Sequence, residues 1–391
     1  TFIFSVYFAR GIYGDEVAGS AAWGYTLGAA GFAVAILSPI LGAIADQGGP
    51  RKIWIFAFTL VTIVTSFLLW YALPDPSYVV YALTLVVIAT ITFELALVFY
   101  NAMLADLASP GALGRLSGFA WGLGYIGGLA CLVVALVGFV QPAVPWFGVG
   151  TEEAANIRAT GPLVAVWFGL FSLPLFLLTP DRPSGGLGIA GAVSAGLQQL
   201  GRTLRSLGKY GNIVRFLIAS ALYRDGLTTL FAVGGLYAAG TFGMSFEQIL
   251  IFAIGLNVTA GLGAAGFAFM DDRSGSKPTV LVALAGLIVL GAALLVVDGI
   301  WVFIGLALGL GLFVGPAQAA SRSLLARISP PDMQTEMFGL YSLTGKSIAF
   351  LGPVAFAALT DAFNSQRVGM ASILAFWIVG GALLLTVRER G

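Results

Sequence analysis

Apolar residues in this chain run in long unbroken stretches, each closed by a short cluster of polar residues. The runs do not alternate with the two-residue period of a strand, which excludes a membrane β-barrel. A run of about 20 residues in helical conformation crosses a hydrocarbon core about 30 Å thick. Read this way, the pattern predicts twelve helical spans, over residues 1–11, 19–46, 53–73, 77–107, 113–140, 159–179, 213–240, 246–271, 278–297, 300–328, 334–360 and 367–388. The opening run, Thr1 to Ala9, is too short to cross, so the first span is expected to be truncated. The domains expected are an N-terminal six-helix bundle (1–179), a linker (180–212) and a C-terminal six-helix bundle (213–391). In the linker, Ile189, Val193, Leu197, Leu200, Leu204 and Leu207 form one apolar stripe opposite Arg202, Arg205 and Lys209. That spacing predicts an amphipathic helix lying on the membrane surface.

Two polar clusters repeat each other. Gly42-Ala43-Ile44-Ala45-Asp46-Gln47-Gly48-Gly49-Pro50-Arg51-Lys52 and Asp272-Arg273-Ser274-Gly275-Ser276-Lys277 both join a second span of a half to its third. Superposing Asp46 on Asp272 pairs Gly49 with Gly275 and Arg51 with Lys277. A recurring acid, glycine turn and base indicate an internal duplication, as in transporters built from two similar bundles. The acids are expected to pair with Arg51 or Lys277 or to cap a neighbouring helix, acting as a gate latch.

Composition sharpens the class. The chain is 59% hydrophobic and 9% charged, with a mean hydropathy of +0.96, where a soluble domain carries about a quarter charged residues. This is an all-α, multi-pass membrane protein with the lipid bilayer as its surroundings. A net charge of +1 gives no basic patch for nucleic acid. The absence of histidine removes His-based metal sites and proton relays, and no cofactor or metal is expected. The single cysteine, Cys131, forbids an intrachain disulfide. Lys and Arg concentrate on one side of the twelve spans: Arg51, Lys52, Arg115, Arg182, Arg202, Arg205, Lys209, Arg273, Lys277, Arg327, Arg388 and Arg390. Arg10, Arg158 and Arg367 fall on the other. By the positive-inside rule both termini and the linker are cytoplasmic, in what is expected to be a bacterial inner membrane.

Candidate chemistry lies at membrane depth, where a charge at a helix centre costs about 2.5–3.5 kcal/mol on insertion scales. Glu94 lies midway along the fourth span with Asn101 two turns on; Tyr223, Arg224 and Asp225 are in the seventh. Gln318 and Arg322 lie one turn apart in the tenth, and Lys346 is in the eleventh. These charges either line a substrate path or neutralise one another as structural ion pairs. Arg322 and Lys346 suit an anionic group. Glu94, without a basic neighbour on its own helix, is expected to be the proton carrier, and Asp225, beside Arg224, the more permanent charge. Four-residue glycine spacings (Gly118/Gly122, Gly124/Gly128, Gly305/Gly309, Gly311/Gly315) let membrane helices approach closely. Pro39, Pro316 and Pro353 can bend their spans.

With its paired loops, the chain resembles the major facilitator superfamily. More narrowly, it is similar to the autophagy-related vacuolar amino-acid effluxers and their bacterial relatives. The blocks that carry this are Phe93-Glu94-Leu95, Phe99-Tyr100-Asn101-Ala102, Gly114-Arg115-Leu116-Ser117-Gly118 and Gly122-Leu123-Gly124-Tyr125-Ile126-Gly127-Gly128. Gln318-Ala319-Ala320-Ser321-Arg322-Ser323, Phe338-Gly339-Leu340-Tyr341, Gly345-Lys346 and Gly352-Pro353 complete them. The chain departs where Tyr223-Arg224-Asp225-Gly226 has Arg in place of the usual Asn, and where Ala105-Asp106 replaces Pro-Glu. The resemblance implies a major facilitator fold and a non-enzymatic secondary transporter of a small solute, an amino acid or similar zwitterion or organic anion, moved by alternating access. Spans 1, 4, 7 and 10 line the central cavity in that architecture. No nucleotide-binding motif is present, so an ion gradient, a proton's among them, or the solute's own gradient would supply energy. The alternatives are a non-transporting accessory or assembly subunit of a membrane complex, and a lipid translocator.

Overall fold

The structure is a computed structural model and describes residues 2–47, 50–107, 113–181, 191, 194, 198, 201, 210–329 and 334–389. Helices stand at all twelve predicted positions. The N-terminal half holds α1 (Phe2–Tyr7), α2 (Glu16–Gln47), α3 (Lys52–Leu68), α4 (Val79–Leu107), α5 (Leu113–Ala135) and α6 (Thr160–Leu178). The C-terminal half holds α7 (Gly211–Phe242), α8 (Phe246–Ser274), α9 (Ser276–Val296), α10 (Ile300–Ile328), α11 (Gln334–Ile348), α12 (Leu351–Phe363) and α13 (Gln366–Leu385). α1 and α5 run on as π-helical turns, Phe8–Tyr13 and Leu136–Val140. Among the described residues, 10 helical segments are long and apolar enough to cross a membrane. The stripe and the basic residues of the predicted linker helix lie outside the described residues.

Contacts group the chain into two units, one of residues 1–28 with 206–391, the other of 29–205. The boundary falls inside α2. Within the first unit, α1 packs against α7, and a methyl added to Gly24 would lie 2.9 Å from both the Pro353 carbonyl and Ala357 Cβ on α12.

Each half repeats one device that the sequence superposition missed. In the second unit, the Asp181 carboxylate, just past α6, accepts from the backbone N–H groups of Arg51 (2.9 Å) and Lys52 (3.1 Å), while Lys52 Nζ donates to Phe176 O (3.0 Å). In the first, Glu389, just past α13, accepts from Ser276 N and Lys277 N, both at 2.9 Å, while Lys277 Nζ donates to Leu385 O (3.0 Å) and Val387 O (2.6 Å). A carboxylate at a helix N-terminus satisfies orphan donors and meets the positive end of the dipole. The far ends match too. Arg158 Nη1 donates to Trp70 O (2.8 Å) after α3, and Arg367 donates to Leu295 O (3.4 Å) in the last turn of α9 and to Val297 O (2.9 Å) just past it. The last span of each half therefore clamps the third span with an acid at its start and an arginine at its end.

This geometry corrects the superposition by one residue. Lys277 is the counterpart of Lys52, not of Arg51. The acid that bonds at the end of α8 is Asp271, whose Oδ1 accepts from Ser276 Oγ (2.5 Å) and pairs with Arg327 (3.5 Å). Asp272, proposed from sequence as the latch, is exposed. Gly275, between α8 and α9, has φ +93, and an added Cβ would sit 3.0 Å from Glu389, so the turn suits glycine on both counts.

Of the four glycine spacings, Gly311/Gly315 packs tightly: Cβ atoms there would strike Thr259 and the Ala260 carbonyl on α8. Gly124, Gly128 and Gly305 have nothing within 4 Å of an added Cβ, and Gly309 meets only Leu290 at 3.5 Å. Gly118 and Gly122 stand on α5, with side-chain surroundings outside the described residues.

Candidate functional site

The eleventh span is broken. Pro353 has no N–H and its ring crowds the carbonyl of Ala349, four residues back, so the helix cannot continue through that point. α11 ends at Ile348 and α12 begins at Leu351. Such a break at membrane depth leaves backbone groups that must find partners within the protein.

One partner comes from α7, where three consecutive residues reach three elements because neighbours on a helix point about 100° apart. Tyr223 is fully buried and its hydroxyl lies 2.5 Å from Ser321 Oγ on α10. Ser321 already donates to Ala317 O (2.5 Å), so the Tyr223 hydroxyl is the donor of the pair. Arg224 is half-buried, its guanidinium 4.0 Å from the centre of the Tyr341 ring, and Nη1 donates to Tyr341 O (3.2 Å) on α11. Tyr341 stacks in turn on Phe216, with 3° between the planes. Asp225 is 2% exposed, and its Oδ2 accepts from Gly352 N (2.8 Å) in the first turn of α12. A Cβ on Gly352 would collide with Thr229 Oγ1 and lie 3.1 Å from Asp225 Oδ1, so only glycine fits beneath α7 here.

The other predicted residues stand around this cluster or apart from it. Lys346 is half-buried in the last turn of α11, where a cation is favoured by the helix dipole. Gln318 and Arg322 are half-buried on α10, and Arg322 adjoins the Tyr223 partner Ser321. The seventh-span residues were expected to line a cavity. Tyr223 and Asp225 are instead sealed among helices, and Arg224 alone of the three is partly accessible. In the second unit, Glu94 is half-buried on α4 beside Phe93, which packs edge-on against Phe168, and near Thr92, bonded to Thr62 (2.8 Å). Asn101 and Asp46 lie on α4 and α2, with side chains outside the described residues. Arg51 is 3% exposed.

Sequence reasoning missed a second polar cluster, within the first unit, at the other end of the spans. Arg10 donates to Met244 O (2.8 Å) and Ala239 O (2.7 Å) at the end of α7 and pairs with Glu16 (2.5 Å). Gln366 donates to Ser20 Oγ (2.7 Å) and Glu16 O (3.2 Å) and accepts from Thr241 Oγ1 (3.2 Å). The signal was present in the charge sorting, where Arg10, Arg158 and Arg367 alone broke the bias. All three donate to carbonyls at helix C-termini.

The family model described as "Vacuole effluxer Atg22 like" matches residues 9–113 and 112–391. The chain is 25% identical to the "Uncharacterized MFS-type transporter YxiO" of Bacillus subtilis, over 94% of this chain and 84% of that one. It is 27% identical to "Autophagy-related protein 22" of Cryptococcus neoformans, over 71% of this chain and 53% of that one. The match thus spans about half the length of that fungal relative. Among solved structures, a D-xylose-proton symporter superposes with TM-score 0.70 at 16% identity, over 99% of this chain and 95% of that one. A point mutant of the nucleoside transporter NupG superposes with TM-score 0.67 at 14% identity, over 99% and 97%. At such identities the structural likeness establishes the fold, which is that of the major facilitator superfamily. The chain belongs to the Atg22-like family of that superfamily and is an integral, multi-pass membrane protein of transporter type.

Proposed function

We propose that this member of the Atg22-like family moves a small zwitterionic or anionic solute, such as an amino acid, by alternating access of the bundles 1–179 and 213–391. The observation that carries the reading is the cluster at the broken eleventh span. Arg224 is partly accessible there, Lys346 closes α11, and Gln318 and Arg322 stand on the adjoining α10. Three cations on neighbouring helices at membrane depth suit a carboxylate, and the planar Arg224 fork can hold one bidentately. Glu94 and Asn101 on α4 are the candidate solute contacts of the second unit, and Asp46 and Arg51 there, with Asp271 and Lys277 in the first unit, are the candidate gate residues. Efflux, a proton as coupling ion, and a bacterial inner membrane with cytoplasmic termini complete the reading.

The test is purified protein in liposomes screened over amino acids. Arg322→Gln and Lys346→Gln should each lower uptake or efflux at least tenfold while the protein stays folded. Folded wild-type protein that moves none of these solutes would sink the reading in favour of an accessory subunit. Normal transport by both variants would make the cations structural.

A further inference from the structure

The loop joining α5 to α6 is apolar where a loop beyond a membrane span is ordinarily polar. Residues 116–151 carry no charged side chain, and the first charges after Arg115 are Glu152 and Glu153. α5 and the π-helical turn that ends it use this stretch only as far as Val140. The remainder turns its apolar side chains outward: Val144 is 77% exposed, Trp146 46% and Phe147 90%. Phe147 also holds a left-handed backbone, φ +61, which is disfavoured for a bulky residue. An exposed ring on such a backbone gains nothing from water.

Packing sets the depth of the loop. It folds back on the end of α5, where a Cβ added to Gly138 would lie 2.8 Å from the Trp146 ring. The Phe139 ring meets both Trp146 and Phe147, with centroids 6.3 and 6.4 Å away. At about 1.5 Å of rise per residue, Gly138 lies roughly 35 Å along the helix from Arg115. That is one hydrocarbon core, about 30 Å, and a few ångströms more. The loop therefore stands level with the boundary between acyl chains and headgroups, the depth that Trp favours. Its apolar surface continues that of the spans it joins, where Val133 and Val137 on α5 and Val164 and Val166 on α6 are exposed.

We infer that residues 142–149 are a membrane anchor of the second unit. Val144 and Phe147 enter the edge of the acyl region, Trp146 lies among the headgroups, and the exposed Glu152 and Glu153 mark the water side. With no cation in the loop, the lipid is recognised by its apolar edge and not by headgroup charge. Val144, Trp146 and Phe147 make a patch far smaller than the about 20–30 residues a side of a stable protein interface. Arg158 ties the same end of the unit to the close of α3 through Trp70 O (2.8 Å), so the anchor holds more than its own loop.

The inference is independent of transport, and its test needs none. Single cysteines at Phe147 and Glu152, in a Cys131→Ser chain, carry a nitroxide label in phosphatidylcholine vesicles. Power saturation then compares access of oxygen, which concentrates in lipid, with access of a water-soluble nickel chelate. The Phe147→Cys label should be more accessible to oxygen and the Glu152→Cys label more accessible to nickel. A Phe147→Cys label that favours nickel lies in water and overturns the anchor. One screened from both reagents is covered by protein, such as a second copy of the chain, and overturns it equally. If Phe147→Cys does not fold, a label on Val144→Cys decides by the same criterion.

Discussion

Gly352 shows how narrowly the site is drawn at the scale of one residue. Its N–H serves Asp225, and its missing side chain leaves room for Thr229. Gly352→Ala forces a methyl into that hydroxyl, an overpacking that costs about 1–3 kcal/mol. On the same half, Gly234 on α7 has nothing within 4 Å of an added Cβ. Gly234→Ala should raise stability by a few tenths to about 1 kcal/mol, since Ala is the better helix former. Melting of the two purified variants should therefore move in opposite directions; a common direction would show the break is not packed as described. Sequence reading found Gly352-Pro353 and Asp225 separately but not their bond. Nothing in a linear spacing says that residues 127 apart will meet. Adjacent helical residues diverge by about 100°, and Arg224 turns to Tyr341 and not to its neighbour Asp225.

Among elements, the clamp on each third span turns a charge pattern into a mechanical statement. Asp181 and Glu389 each hold two backbone N–H groups, and a charged group at a helix N-terminus contributes about 0.3–1 kcal/mol, up to about 2 when partly buried. Glu389 also meets Arg327 at 3.5 Å. Glu389→Gln and Asp181→Asn should speed hydrogen exchange at Ser276 and Lys277, and at Arg51 and Lys52, respectively. Asp271→Asn should loosen the end of α8, and Asp272→Asn should change nothing measurable at that loop. Equal effects of the two adjacent aspartates would restore the original superposition. Span positions were legible because about 20 apolar residues in a row have few other folds available. The one-residue slip was not, because Arg51-Lys52 offers two bases for the single Lys277. The dipeptides Asp181-Arg182 and Glu389-Arg390 did carry the repeat, yet their partners lie a whole bundle away in sequence.

At the scale of the molecule, the first span is tied to the C-terminal half through Arg10. Three acceptors converge on its guanidinium: the Ala239 and Met244 carbonyls that end α7, and the Glu16 carboxylate that begins α2. Only a planar five-donor fork serves all three at once. Arg10→Gln leaves the helix C-terminus short of donors and Glu16 unpaired, so this end of α1 and α2 should open from α7 more often. Arg10→Lys keeps the charge for Glu16 but cannot reproduce the fork, and should fall between. Opening is measurable as thiol labelling of a cysteine at Ala21, which is 3% exposed, in a chain whose own Cys131 is replaced by Ser. The labelling rate should rise at least tenfold in Arg10→Gln and less in Arg10→Lys. That order follows from what each side chain can donate, not from charge alone. A lysine variant that labels as fast as the glutamine one would show that the fork, and not the ion pair with Glu16, holds this end shut. Rates unchanged in both would mean that packing of α1 on α7 suffices without Arg10.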